Sequence, residues 1–197
     1  MAVSPFRKDS LFNLKIMQAL LLCILCTFYA QASDVIRFNF GQNKDGNNWQ
    51  ITNDGVMGGL SIGKTRFKEN SILFTGTVSL ENNGGFTSFR TPFQAFDLTK
   101  VQKVEIRYRS KGQDMGIMLE NSRQFFRPYF KYDLVQTDNE WTTVMIDISE
   151  FKPYVLGRKG NQKIASDFLS SVLRIGLITS SKAEGPFSFE IDYLSFQ

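Results

Sequence analysis

Ser71-Ile72-Leu73-Phe74-Thr75-Gly76-Thr77-Val78-Ser79-Leu80 alternates apolar and polar side chains, so that Ile72, Phe74, Val78 and Leu80 fall on one face and the small polar residues on the other. That alternation is the period of a half-buried β-strand. It recurs outward in both directions. Ile36, Phe38 and Phe40 share a face in the run Val35–Phe40, and Val104, Ile106 and Tyr108 stand opposite Glu105, Arg107 and Arg109. Further strands are expected near 60–68, 85–91, 115–120, 126–134, 141–147, 172–179 and 187–196, where aromatic and β-branched residues are bounded by Gly, Asn, Asp and Ser. About ten short strands with turns between them predict an all-β fold, a two-sheet antiparallel jelly-roll sandwich. Helix is expected only in the stretch 166–172, with Ser166 as N-cap.

The first 32 residues read differently. Arg7, Lys8 and Lys15 precede an apolar run from Ile16 to Tyr29, and Ala30-Gln31-Ala32 follows. That order predicts a signal peptide over 1–32, cleaved after Ala32, with one domain over 33–197 and an exported location: periplasm, cell envelope or extracellular space. An uncleaved anchor is the alternative, although the run is shorter than the roughly 20 residues of a spanning helix. Cys23 and Cys26 leave with the signal, so the mature domain has no disulfide, thiolate nucleophile or Cys metal site. Histidine is absent throughout, which excludes Ser-His-Asp and Cys-His catalysis and His metal sites. Residues 33–197 hold 20 basic against 18 acidic residues with no dense basic block, so nucleic acid is not an expected partner.

Two glycine-rich segments stand out. In the first, Trp49 precedes Asn53-Asp54-Gly55-Val56-Met57-Gly58-Gly59-Leu60-Ser61. Asn-Asp-Gly and Gly-Gly tolerate positive φ, which predicts a rigid double turn between strands. The functional alternative is a loop presenting Asn53 and Asp54 to a partner. In the second, Glu81-Asn82-Asn83-Gly84-Gly85 lies between two strands, and Asn83-Gly84 reads as a hairpin turn. Phe86, Ser88 and Arg90 then share a face. Arg90 either pairs with an acid such as Asp54 or Glu81 or lines a groove.

These segments, together with Trp141 before Val144-Met145-Ile146-Asp147, then Phe151 and Pro153, Ile175-Gly176-Leu177-Ile178, and Gly185-Pro186-Phe187, resemble the CIA30 family, the family of complex I intermediate-associated protein 30. The resemblance runs over about residues 36–196. It implies a galactose-binding-like jelly roll, similar to some carbohydrate-binding modules. Among eukaryotic members it implies a mitochondrial assembly factor for respiratory complex I. The exported start is a departure, because an exported protein meets complex I only from the far side of the membrane. The family motifs supply no catalytic residue to carry over.

A last cluster, Arg123-Gln124-Phe125-Phe126-Arg127-Pro128-Tyr129-Phe130-Lys131-Tyr132, is dense in rings and cations. On strand parity Phe126, Phe130 and Tyr132 turn inward. Phe125, Arg127, Tyr129 and Lys131 then turn outward, and Arg107 and Arg109 are expected to extend that surface. Such a face suits sugar rings, which stack on aromatics while their hydroxyls bond to polar neighbours. Glu105, Asp114, Glu120 and Asp133 are the carboxylates from which a glycosidase pair would have to come. The loop Asn43–Asn48 offers oxygens for a structural calcium, although Lys44 opposes a cation; no other cofactor is expected. The expected function is a non-catalytic binding module for a protein partner, in an assembly-factor or chaperone-like role. The alternatives are an envelope carbohydrate-binding module and, more remotely, a carboxylate-based glycosidase.

Overall fold

The computed structural model describes residues 35–197, and the expected signal segment 1–32 lies outside them. Thirteen strands form two antiparallel sheets among the described residues. The six-stranded sheet runs β3 (Ile62–Phe67), β4 (Ile72–Val78), β13 (Gly185–Phe196), β6 (Lys103–Lys111), β9 (Thr142–Asp147), and β1 (Ile36–Asn39) also pairs with β13. The seven-stranded sheet runs β11 (Arg158–Lys159), β10 (Lys152–Val155), β8 (Tyr129–Leu134), β7 (Met115–Glu120), β12 (Arg174–Thr179), β5 (Thr87–Arg90), β2 (Gln50–Asn53). A single helical turn, α1 (Ser166–Leu169), takes Ala165 rather than Ser166 as its N-cap.

The alternation read in the sequence becomes the core. Ile72 and Phe74 of β4, Val104, Ile106 and Tyr108 of β6, and Phe187, Phe189 and Ile191 of β13 are buried against Phe89, Ile117, Leu119, Ile175 and Leu177 of the facing sheet. Trp49 sits edge-on between Phe38 and Phe40, at 5.2 and 5.1 Å between ring centres. β13 is the longest strand. Residues 185–191 pair with β4, residues 193–196 pair with β1, and β6 runs along the other side with a bulge at Asp192.

Three sequence readings change. β2, β10 and β11 are too short for a periodic signal. The expected strand 126–134 begins only at Tyr129, because residues 121–128 form a loop that leaves Phe126 half exposed. Asn83-Gly84 is not a hairpin turn: β4 belongs to one sheet and β5 to the other, so the segment is a corner between layers. The segment 54–61 is a second such corner, from β2 to β3. Leu80, read as inward with Ile72, is exposed, since β4 ends at Val78 before the corner turns.

Phe189 is fully buried and stacks on Tyr108 at 5.1 Å, joining the two longest strands. Phe189→Ala is expected to cost about 3–5 kcal/mol in urea denaturation, the range for truncating a core aromatic.

Candidate functional site

The two corners are fastened by one carboxylate. Asp54 Oδ1 accepts the amide of Ser61 at 3.0 Å, and Oδ2 accepts the Ser61 hydroxyl at 2.5 Å and the amides of Gly85 and Phe86 at 2.6 and 3.2 Å. Burial works against ionisation of Asp54, but the Ser61 hydroxyl and the Gly85, Phe86 and Ser61 amides outweigh it and hold the carboxyl below its usual value. Gly59 and Gly84 have no room for a side chain, because a Cβ on either would run into this carboxylate. Gly58 closes the first corner at φ 89°, whereas a Cβ on Gly55 would touch nothing. Asn53 Oδ1 accepts the Gly63 amide at 3.2 Å and the Thr87 hydroxyl at 2.5 Å. Asn53 and Asp54, offered as partner-binding residues, are therefore committed to the fold. Of the other motif residues, Trp49 is buried, and Asn83 and Gly85 take positive φ, 61° and 133°.

The binding candidates divide between the two sheets. Arg107 and Arg109 lie on β6 and do not extend the surface of Tyr129 and Lys131, which face outward from the other sheet on β8. Phe125 and Arg127 precede β8 on the loop. Phe125 is 73% exposed, and Arg127 is exposed with its Nε donating to Gln124 Oε1.

On the outer face of the seven-stranded sheet is a groove of about 710 Å³. Its floor holds two charged side chains that lie flat where neighbouring strands carry glycine. A Cβ on Gly116 of β7 would meet the Lys131 stem, and one on Gly176 of β12 would meet the Arg90 stem. Arg90 Nη1 donates to Glu120 Oε1 at 3.0 Å and Nε to Ser88 Oγ at 2.6 Å, so its partner is Glu120 rather than Asp54 or Glu81. Glu120 Oε2 is buried without a partner among the described residues. Lys131 Nζ pairs with Asp133 Oδ1 at 2.6 Å and lies 4.3 Å from the centre of the Tyr154 ring. Tyr154 donates to Asp133 Oδ2 at 2.8 Å and stacks on Tyr129 at 5.8 Å. Burial pushes the Tyr129 phenol up to about 12 and the Lys131 ammonium down. Asp133 is held low because donors from Lys131, Tyr154 and Ser180 outweigh the opposing effect of burial. The lining also brings in apolar Leu80 and Phe86 beside the second corner, Phe125 on the loop and Leu156 after β10, together with Asn83 and Lys182.

Of the four carboxylates considered for catalysis, Glu120 lines the groove and Asp133 lies beside it as the partner of Lys131, and both are ion-paired. Glu105 is on β6 of the other sheet, and Asp114 accepts Gln136 Nε2. In the expected calcium loop, Asp45 Oδ2 accepts the Asn39 amide, and the Lys44 ammonium donates to the carbonyls of Lys68 and Glu69. Sequence reasoning missed Tyr154 and Leu156. Their segment is too short to alternate, and its one signal is an aromatic beside Pro153.

Asp54→Asn is expected to cost about 2 kcal/mol or more at neutral pH, because a buried multi-acceptor is lost. A depressed folded-state pKa stabilises above the ordinary aspartate value near ~3.9, and the stabilisation is lost as pH falls through the folded value. Wild-type stability should therefore fall more steeply than that of Asp54→Asn below about pH 4, as read by chemical denaturation at each pH. Gly58→Ala should cost about 1 kcal/mol for its left-handed backbone.

The fold is that of known binding modules. Over 83% of this chain and 95% of the other it superposes, at TM-score 0.60 and 15% identity, on the family 11 carbohydrate-binding module of the cellulosomal cellulase Lic26A-Cel5E of Clostridium thermocellum. It also superposes on part of the agarase AgWH50C, at TM-score 0.51 and 12% identity, over 81% of this chain and 24% of that one. In sequence it is 26% identical, over 180 aligned residues and 80% of its length, to mouse (Mus musculus) "Complex I intermediate-associated protein 30, mitochondrial". The chain spans about half (54%) of that relative. Residues 38–191 match the family description "Complex I intermediate-associated protein 30 (CIA30)", covering both glycine corners and the strands that floor the groove, and the chain belongs to the CIA30 family.

Proposed function

We propose that this chain is a non-catalytic binding module that recognises a protein partner through the groove of its seven-stranded sheet, in an assembly-factor role. The observation that carries the reading is the construction of the groove. Its floor charges are already paired, Arg90 with Glu120 and Lys131 with Asp133, while its rim exposes Leu80, Phe125 and Leu156. Exposed apolar side chains around a fixed polar floor supply contact area at little ordering cost, as partner-binding surfaces do. Membership in a family named for an assembly protein supports a polypeptide as ligand.

A carbohydrate is the second reading. The floor presents donors and acceptors together beside the Tyr129 ring, which suits hydroxyls and sugar C–H faces. A binding role rather than a catalytic one is supported by the ion pairing of Glu120 in the groove and of Asp133 beside it. The donors on Asp133 hold its carboxyl low, the opposite of what a general acid needs.

Phe125 and Leu156 are 73% and 62% exposed, so Phe125→Ala with Leu156→Ala should leave the melting temperature nearly unchanged and abolish partner capture in pull-downs from envelope membranes. Capture that survives the double variant would place the partner elsewhere. Wild-type protein that binds a glycan array through Tyr129 but retains no polypeptide would reverse the order of the two readings.

The proposal includes export. Protein recovered from the host should begin at Ser33 on N-terminal sequencing, and recovery of intact residues 1–32 in the membrane fraction would mean an anchor instead.

A further inference from the structure

The outer face of the six-stranded sheet is built from different chemistry. Cross-strand register lines up Lys64, Thr75, Ser188 and Lys111 in one row, and Arg66, Leu73, Glu190 and Arg109 in the next. Glu190 accepts both Lys68, at 2.7 Å, and Arg109, at 2.9 Å. Asp192 pairs with Arg107 and Asp147 with Lys103. Glu105 accepts the Tyr193 hydroxyl and the Gln197 side-chain amide instead of a cation, and four exposed cations, Arg37, Lys64, Arg66 and Lys111, have no acidic partner among the described residues. Arg37 lies over the Tyr193 ring at 4.0 Å, and Arg107 and Arg109 lie over Trp141 at 4.7 and 4.9 Å.

We propose that this face docks on an anionic lipid surface. The five main strands make a platform about 20 Å across at the usual strand spacing, wide enough to set all four free cations against one plane. The cations are spread over rows rather than gathered at a cleft, and a bilayer offers charge without relief, so an even spread is what it rewards. Each cation held near an anionic membrane is worth about 1 kcal/mol. Trp141 adds an amphipathic ring of the kind that favours the headgroup region, and Ile62 and Met145 on the same face are 65% and 52% exposed. The apolar run 16–29, read as a targeting segment, brings the chain to a membrane during export. Docking through this sheet leaves the groove of the other sheet facing away, open to a partner.

The protein supplies its own reporter. Of its two tryptophans, Trp49 is in the core and Trp141 is on this face. The full chain is mixed with phosphatidylcholine vesicles with or without phosphatidylglycerol, in each case carrying brominated lipid, and Trp141 quenching is followed alongside co-sedimentation. The N-terminal run, with Arg7, Lys8 and Lys15, contributes equally to every variant, so the loss in the triple variant isolates the face. Quenching should require phosphatidylglycerol, vanish at high salt, and weaken about a hundredfold in partition when Lys64, Arg66 and Lys111 are all changed to Gln. The groove variant Tyr129→Ala should keep it. Equal quenching in both lipids, partition unaffected by the triple variant, sedimentation without Trp141 quenching, or capture of an acidic protein with no vesicle binding would each overturn the proposal.

Discussion

The Asp54 carboxylate is the interaction on which the rest depends. It accepts hydrogen bonds from Ser61 in one corner and from Gly85 and Phe86 in the other, so two independent passages of the chain between sheets are held side by side by a single charged group. A buried charge of this kind is tolerable only when its oxygens are fully used, and the donors here are mostly backbone amides that cannot swing away. The glycines around it follow from the same constraint, since Gly59 and Gly84 are the positions where the chain passes too close to the carboxylate for any Cβ. A long glycine-rich motif that invites a reading as a ligand loop is thus the clasp of the sandwich.

With the two layers fixed, each turns a different surface outward. The seven-stranded sheet uses Gly116 and Gly176 to sink the stems of Lys131 and Arg90 into its floor, which deepens a groove and holds both charges against their partners. The six-stranded sheet has no such depressions in its rows of Lys, Arg, Thr and Ser, and its arginines are steadied by stacking on Trp141 and Tyr193. One layer is shaped, with the two cations of its floor paired, whereas the other is even, with cations spread along its rows.

The sequence made most of the strands legible because one face of each strand is buried and the other is not. β7 was placed to the residue, although it is buried on nearly its whole length, because aliphatic side chains fill Met115–Leu119 between turn residues. What alternation cannot carry is the identity of the neighbouring strand. The Asn83-Gly84 corner has hairpin chemistry, yet the strands it joins belong to opposite layers. For the same reason Arg107 and Arg109 were grouped with Tyr129 and Lys131 when a whole core separates them. Parity also fails where a strand starts late. Phe125 and Arg127 stand on a loop because β8 begins only after Pro128. The groove was half visible, through Arg90, Tyr129, Lys131 and Phe125. Tyr154 and Leu156 come from a short strand that alternation over four residues does not resolve.

The central strand of the six-stranded sheet is also the last to be made. β13 ends at Phe196 and pairs with β1, β4 and β6, so the first and last strands of the domain are adjacent in space. Contacts of such large sequence separation raise the contact order and slow folding, because loop closure over most of the chain must precede the reward. A chain emerging from the ribosome holds β4 and β6 each with one bare edge until β13 has appeared. The sandwich therefore closes in one late step, and until then its strands are exposed to any chaperone, or any aggregating neighbour, that binds unpaired edges.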